Sequence, residues 1–297
     1  MRICSLLPGA TEVVAALGLA DQLVGISHEC DYPPGLSAPV MVEPVIRSEG
    51  LSSEEIDRRV RLAALESRSL YQLSESSLVA AHPDLIILQD LCDVCAVTPA
   101  HLDRILLTLA PRPRLLKLHP RTLGDIFADI RRIGSAVGRE SEARRLMERL
   151  QQAADAIRHR VGLTEVRPRV VCLEWLSPIY IAGHWVPEMV NMAGGSPVLS
   201  ESGTSSRRVT WDELIAASPD VIVIMPCGFT KERAITEFNG VADQPEWQHL
   251  PAIRSGRVHA VDALSYFSRP GPRLVDGASQ LAALLHPALW PAEALIE

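Results

Sequence analysis

Cys92-Asp93-Val94-Cys95 carries the most direct chemistry in this 297-residue chain. Two thiols three positions apart, where an apolar run gives way to a helix, can converge on one ion or redox centre, and a helix N-terminus lowers thiol pKa. Cys30 and His28, from a neighbouring loop, would complete a four-ligand set of the softness that zinc or iron accepts. The alternative is a group of packed, partly buried thiols beside a cleft, because one Cys-x-x-Cys without a second pair does not by itself define a metal site.

A second constellation is aromatic. Phe, Trp and Tyr make up 4% of the chain, yet Trp175, Tyr180, Trp185, Phe229, Tyr266 and Phe267 fall in or near loops that follow strand-like runs. Such walls suit a large planar or macrocyclic ligand; the plainer reading is that large side chains plug loop ends. Arg269 is the polar anchor expected among them, since a guanidinium grips carboxylate, phosphate or amide oxygen in a fork. Its plain alternative is a surface ion pair. His28 beside Glu29 reads as a general base with its partner, or as a polar loop capping a cleft. His184 beside Trp185 reads as a donor next to a flat apolar surface, or as a loop whose tryptophan belongs to the core. Gly9 can bring backbone close to a ligand, and Gly194-Gly195 reads as a helix stop. No G-x-G-x-x-G, P-loop, nucleophile elbow or H-E-x-x-H accompanies these residues. Binding is therefore expected ahead of catalysis.

An internal echo shows which elements must hold these residues. Leu78–Leu88, LVAAHPDLIIL, is answered in the second half by Leu214–Ile224, LIAASPDVIVI. Each copy is a helix end, a Pro-Asp break and an apolar run of the kind a buried parallel strand uses. The same unit in both halves predicts two similar α/β lobes. In the first, strands at Ile3–Leu7, Leu23–Ser27, Leu85–Gln89 and Leu115–Leu118 alternate with helices at Ala10–Leu19, Ser53–Leu65, Leu73–Ala81 and Pro99–Leu109. In the second, strands at Arg169–Trp175, Ile179–Ala182, Val221–Met225 and Arg257–Val261 alternate with helices at Val186–Ala193, Trp211–Ala217, Thr230–Asn239 and Gly271–Leu285. Between them, Thr122–Val137 and Glu140–Val161 read as two helices hinged near Gly138, the second about 33 Å long at roughly 1.5 Å per residue. The expected fold is α/β: two doubly wound, Rossmann-like lobes, 1–121 and 163–297, bridged by a helical connector, 122–162, with a long backbone helix and a ligand cleft between the lobes.

Lys plus Arg number 29 against 36 Asp plus Glu, a net charge of −7, which argues against nonspecific nucleic-acid binding. No run approaches the roughly 18 apolar residues of a membrane span. Met1-Arg2 leads straight into the first strand, without the charged, apolar and small-residue regions of a leader. The chain as it stands is expected in the cytoplasm, its six cysteines free or bound to metal, and in the periplasm if a leader was removed.

Several segments together resemble a known family. They include Leu6-Leu7-Pro8-Gly9-Ala10-Thr11-Glu12, Ser27-His28-Glu29-Cys30-Asp31-Tyr32-Pro33-Pro34, Ala193-Gly194-Gly195, the stretch from Trp247 to Val258, and Tyr266-Phe267-Ser268-Arg269-Pro270-Gly271-Pro272-Arg273. Across almost its whole length the chain is similar to the helical-backbone solute receptors of ABC importers, and most closely to their cobalamin-binding branch. The resemblance implies a rigid receptor that closes little around a bulky small-molecule ligand, a corrinoid such as cobalamin, and an importer as partner if the chain is exported. The expected ligand contacts are His28, Tyr32, Trp175, His184, Trp185, Phe229, Tyr266, Phe267 and Arg269, with His28 able to serve as an axial nitrogen for a corrinoid cobalt. The alternative is a cytoplasmic metal-binding protein or enzyme that reuses the fold around Cys30, Cys92, Cys95 and His28. Glu75 and Glu213 fall near positions where such receptors present acidic residues to importer arginines, and read here as solvated surface. The chain departs from the branch after the third strand of the first lobe. Where a tryptophan is usual, it has Val45-Ile46-Arg47-Ser48-Glu49-Gly50 and then an extra helical segment around 54–69.

Overall fold

Short apolar runs bounded by turn residues form the strands, and helical crossovers between them make most of the strand pairs parallel. In the computed structural model, which describes residues 1–66, 68–89, 106 and 109–290, the first sheet has the order β4-β3-β2-β1-β5-β6. Its strands are β1 (Ile3–Ser5), β2 (Leu23–Ser27), β3 (Val40–Pro44), β4 (Tyr71–Leu73), β5 (Leu85–Gln89) and β6 (Arg114–Leu118). All pairs are parallel except β3 with β4. The second sheet is built on β7 (Arg169–Leu176), which forms an antiparallel hairpin with β8 (Ile179–Ile181) and runs parallel to β11 (Val221–Ile224). Beyond β11 lies β12 (Val258–Ala260), while the short β9 (Ser196–Pro197) and β10 (Arg207–Arg208) pair with β7 and β8.

Helices α1 (Pro8–Ala16), α2 (Ser53–Leu65) and α3 (Glu75–Ala81) belong to the first sheet. The connector is α4 (Leu123–Val137) and α5 (Glu140–Val161). With the second sheet go α6 (Val186–Met192), α7 (Trp211–Ala217), α8 (Lys231–Asn239), α9 (Pro251–Arg254), α10 (Ala263–Tyr266) and α11 (Leu274–Leu285). Among the described residues no helix is long and apolar enough to cross a membrane.

The sequence echo is also a structural one. α3 and α7 end on His82 and Ser218, both left-handed, with φ of 41° and 45°. Each is followed by Pro-Asp and a buried strand. The two aspartates do the same work: Asp84 accepts the Arg2 backbone N–H at 2.7 Å, and Asp220 that of Arg169 at 2.8 Å. The same two arginines also donate their guanidinium groups to the carbonyls that end the preceding helices, Ala81 and Ala217. Each lobe thereby ties the start of one strand to the turn before another.

α4 opens with a capping box. The Thr122 hydroxyl accepts from Asp125 N at 3.1 Å, and the Asp125 carboxylate accepts from Thr122 N at 2.9 Å. It ends on left-handed Gly138, as the hinge reading required. α5 then serves both cores. Its Ala143 and Leu146 pack with the first-lobe residues Val13 and Ile3, and its Ala154, Ile157 and Val161 pack with Val170 and Met189 of the second. One rigid helix shared by two cores resists relative motion of the sheets better than a loop would.

Strands β3 and β4 are absent from the sequence-based strand assignment. Prolines at both ends of β3 give it the look of a loop, and Leu73, expected to begin a helix, instead ends edge strand β4. The helix starts two residues later, at Glu75, behind the N-cap Ser74, whose hydroxyl accepts from Ser77 N. Asp90, Cys92, Asp93, Cys95 and most of the helix expected at Pro99–Leu109 lie outside the described residues.

Candidate ligand cleft

The strand ends of both sheets converge on one cavity of about 640 Å³, within the roughly 300–1,000 Å³ typical of sites for organic ligands. The first lobe supplies Leu6, Leu7 and Pro8 where β1 turns into α1, Ser27 to Glu29 after β2, and Leu88 and Gln89 at the end of β5. β1 and β5 are neighbours whose connections leave on opposite sides, the point at which an open α/β sheet leaves a crevice. The second lobe supplies Glu174 and Trp175 on β7, Met225 and Cys227 after β11, His184 and Trp185 before α6, and Phe267 to Pro270.

A third wall comes from α2, in the segment read from the sequence as a departure from the cobalamin-binding branch. Ile56, Val60 and Ala64, spaced four apart on one helix face, line the cavity with Asp57 and Arg61. The second lobe holds this segment in place. Arg233 donates to the Ser48 and Leu51 carbonyls at 2.8 and 3.3 Å, Glu237 accepts from Ser53 N at 2.6 Å, and Trp175 Nε1 donates to Ser53 O at 3.1 Å. This helix is thus a strap reaching from one lobe to the other. Its four-residue apolar spacing was the visible signal. The apolar strand-end residues Leu6, Val42 and Leu88 carried none, because they read like any other core position.

The expected contact residues divide into two groups. His28, Trp175, His184, Trp185, Phe267 and Arg269 line the cavity. Trp185 does so with its indole N–H donated to Phe267 O at 2.8 Å, so its orientation is fixed by the protein. Phe229, Tyr32 and Tyr266 are not among the lining residues. Phe229 is buried behind Trp175, edge to ring at 5.4 Å, with the Arg233 guanidinium 3.7 Å above its own ring. Tyr32 and Tyr266 both lie against Arg273, at 4.2 and 5.6 Å. Gly9, read as a place for backbone to approach a ligand, instead lets α1 meet the second lobe. A Cβ there would sit 2.3 Å from the Pro270 carbonyl oxygen.

Arg269 is spent within the protein. Its guanidinium forks onto both carboxylate oxygens of Asp31 and stands 3.8 Å from Glu12, while Arg273 grips Glu12 at 2.6 and 3.1 Å. Arg269 and Glu12 are buried, and this four-charge clasp joins the first lobe to the second across the cavity floor. Burial pushes the Glu12 carboxyl above its ordinary value against the pull of Arg273 and Arg269. Burial acts the same way on Asp31, but there the Arg269 bonds outweigh it and hold the carboxyl low.

Of the described cysteines, Cys30 is packed in the core and Cys227 reaches the cleft. Cys30 is buried in the first-lobe core, its sulfur 3.1 Å from the Thr11 hydroxyl and 3.4 Å from that of Ser27, and burial pushes its thiol up. Cys227 opens onto the cavity, yet the protein around it pushes its thiol up to about 12, with Glu174 and Glu29 adding to the effect. Among the described residues no three His, Cys, Asp or Glu side chains converge on a common point; Cys92 and Cys95 lie outside them.

His184 is the strained residue of the site, left-handed at φ 52°. Burial, then Arg121 and His119, lower its pKa. The ring is therefore expected to be neutral at pH 7 and to gain a proton only below the ordinary histidine value of about 6.5. Stability linked to this ring is full above that value and falls as pH drops toward the folded pKa. An NMR titration of the His184 ring should give a midpoint below 6.5; a midpoint above it would mean that burial and the neighbouring cations do not govern the ring.

Two open sheets, a helix shared between them and a cavity at their strand ends define a two-lobed, cleft-type binding protein. The chain belongs to the periplasmic binding protein family, whose family model matches residues 3–263. It is 25% identical over 278 residues to a vitamin B12-binding protein of Vibrio parahaemolyticus, covering 93% of this chain and 86% of that one. It is also 25% identical over 293 residues to YvrC of Bacillus subtilis, an ABC transporter substrate-binding lipoprotein, with 96% and 80% covered. A periplasmic haem-binding protein of Roseiflexus, RhuT, shares the fold at a TM-score of 0.71 and 22% identity, covering 97% of this chain and 98% of that one.

Proposed function

We propose that this chain is the solute receptor of an ABC importer and takes a corrinoid, or a tetrapyrrole of similar bulk, in the interlobe cleft. The single observation that carries the reading is the cavity itself: large, and with most of its wall area given by apolar and aromatic side chains from both lobes and the strap. The name borne by the Vibrio relative supports a corrinoid, and that borne by YvrC supports the importer role. A receptor of this kind meets its importer on the outer face of the membrane, so the reading also places the chain there. Of the two acidic residues considered for that meeting, Glu75 is exposed in the first turn of α3. Glu213 is engaged, accepting from Thr210 N at 2.8 Å and from Arg207 at 2.8 Å.

Calorimetric titration of the full chain with cyanocobalamin and with ferric haem tests the reading. Micromolar or tighter binding of either, at one site, is the expected result. No binding of either would overturn it.

A further inference from the structure

The three walls of the cavity are not held alike. The two lobes are joined by α5, which packs into both cores, by the four charges around Arg269, and by the contact of Gly9 with Pro270. The strap is attached differently. Its two ends meet at one place on the first lobe: Pro44 pairs with Tyr71 across β3 and β4, and Val45 N donates to Leu70 O at 2.8 Å. Its buried apolar side chains, Ile56 and Ala63, belong to none of the apolar cores among the described residues. Ile56, Val60 and Ala64 face the cavity instead.

What keeps the strap against the second lobe is polar. Arg233 donates to Ser48 O at 2.8 Å and to Leu51 O at 3.3 Å, Glu237 accepts from Ser53 N at 2.6 Å, and Trp175 Nε1 donates to Ser53 O at 3.1 Å. The joint is not sealed by packing. A cavity of about 390 Å³ lies between Ser52 and Glu54 of the strap and Ser177, Thr236 and Gln244 of the second lobe. The Ser53 hydroxyl is buried there and has no hydrogen-bond partner among the described residues. Water replaces polar bonds of this kind at little cost, and the unsatisfied hydroxyl offsets part of what they gain. A segment tied at one base, with few apolar contacts of its own, opens locally while the lobes stay folded.

We propose that the strap is the gate of the cleft: it swings on the base formed by β3 and β4, Arg233 and Glu237 of α8 latch it, and ligand enters and leaves when the latch releases. A ligand in the cavity packs against Ile56, Val60 and Ala64 only while the strap is closed, so occupancy favours the closed arrangement. Two lobes fixed to one another can thereby exchange a bulky ligand without parting. Arg233 and Glu237 are positioning residues, acting on the ligand through the strap. This inference rests on the reading of the cleft as the ligand site.

The experiment compares the full chain with Arg233→Ala and Glu237→Ala; neither residue lines the ligand cavity. Hydrogen exchange of the free protein reads the strap, and stopped-flow mixing with cyanocobalamin and with ferric haem reads the rates. Amides of 53–65 should exchange at least about tenfold faster in each variant, the equivalent of one lost hydrogen bond to a charged group. Those of β1 and β7 should keep their protection. For whichever compound binds, the association and dissociation rate constants should rise together by a similar factor. Kd should change little, because releasing the latch acts on the free and occupied forms alike. Faster dissociation without faster association, and so a weaker Kd, overturns the gate and makes the strap a fixed wall. Faster exchange of the strap with unchanged ligand rates overturns it as well, as does unchanged exchange in both variants; each leaves the receptor reading standing. Failure of both compounds to bind removes the receptor reading and the gate with it.

Discussion

Arg269→Ala is expected to lower the unfolding free energy by about 3 kcal/mol, the lower end of the roughly 3–5 kcal/mol for removing one partner of a buried ion pair, because Asp31 is 53% exposed. The Arg269 side chain is 3% exposed and gives two bonds to Asp31, with Glu12 3.8 Å away. Without it, Asp31 and buried Glu12 are left to share Arg273, which stands 4.0 Å from Asp31, and a guanidinium-sized void opens beside the cavity. Arg269→Lys keeps the charge but loses the fork, so a smaller loss is expected. Urea unfolding of the three proteins at pH 7 measures this directly. A loss under about 1 kcal/mol for the alanine variant would mean that the desolvation of these charges cancels their attraction. The acid limb gives a second reading. Because the folded Asp31 carboxyl is held low, its contribution is present above the ordinary aspartate value and fades as pH falls through the folded one. In Arg269→Ala that part of the acid dependence should shrink, since of the side chains that hold Asp31 low only Arg273 remains.

Gly9→Ala should be nearly as damaging for a different reason, with an expected cost of about 3 kcal/mol, the upper end of ordinary overpacking. The added methyl would meet backbone: the Pro270 carbonyl oxygen at 2.3 Å, its carbon at 2.7 Å and Gly271 N at 3.2 Å. Backbone cannot rotate aside as a side chain can, so the lobes must part at the joint that Arg269 and Arg273 also hold. Ligand affinity should fall with stability, since both walls of the cavity are positioned by that joint. Gly124→Ala, whose methyl would meet nothing nearer than the Thr122 hydroxyl at 3.6 Å, should be neutral or slightly stabilising. Equal tolerance of the two substitutions, read by thermal unfolding and ligand titration, would show that the lobes adjust independently of this contact.

Arg269 and Gly9 also mark how far each reading reached. Arg269 was expected near the ligand and does line the cavity, but its main partners are Asp31 and Glu12, far away in the chain and on the other lobe. Gly9 was expected to let backbone come close to something; that something is the second lobe's own backbone. Both residues stood out by type and context, and their partners were invisible because nothing in the neighbouring sequence encodes them. The aromatics behave alike. Trp175, Trp185 and Phe267 reach the cavity while Phe229, Tyr32 and Tyr266 pack on arginines, a division made by loop geometry rather than by composition.

What the sequence determined by itself was local in origin. Alternating apolar runs and amphipathic stretches, the Pro-Asp breaks of the repeated unit and the glycine stop between α4 and α5 each act within a few residues, so the α/β class, the repeated unit and the connector helix were all legible. The tertiary structure alone decided the rest. It folded the 45–66 segment across to the second lobe, where Arg233, Glu237 and Trp175 hold it, and gave the cavity its third wall. It also set His28 Nδ1 on the Val42 carbonyl. These outcomes depend on pairs of groups distant in the chain and on the side to which each loop turns, and only the packing of two complete lobes against one another brings such groups together.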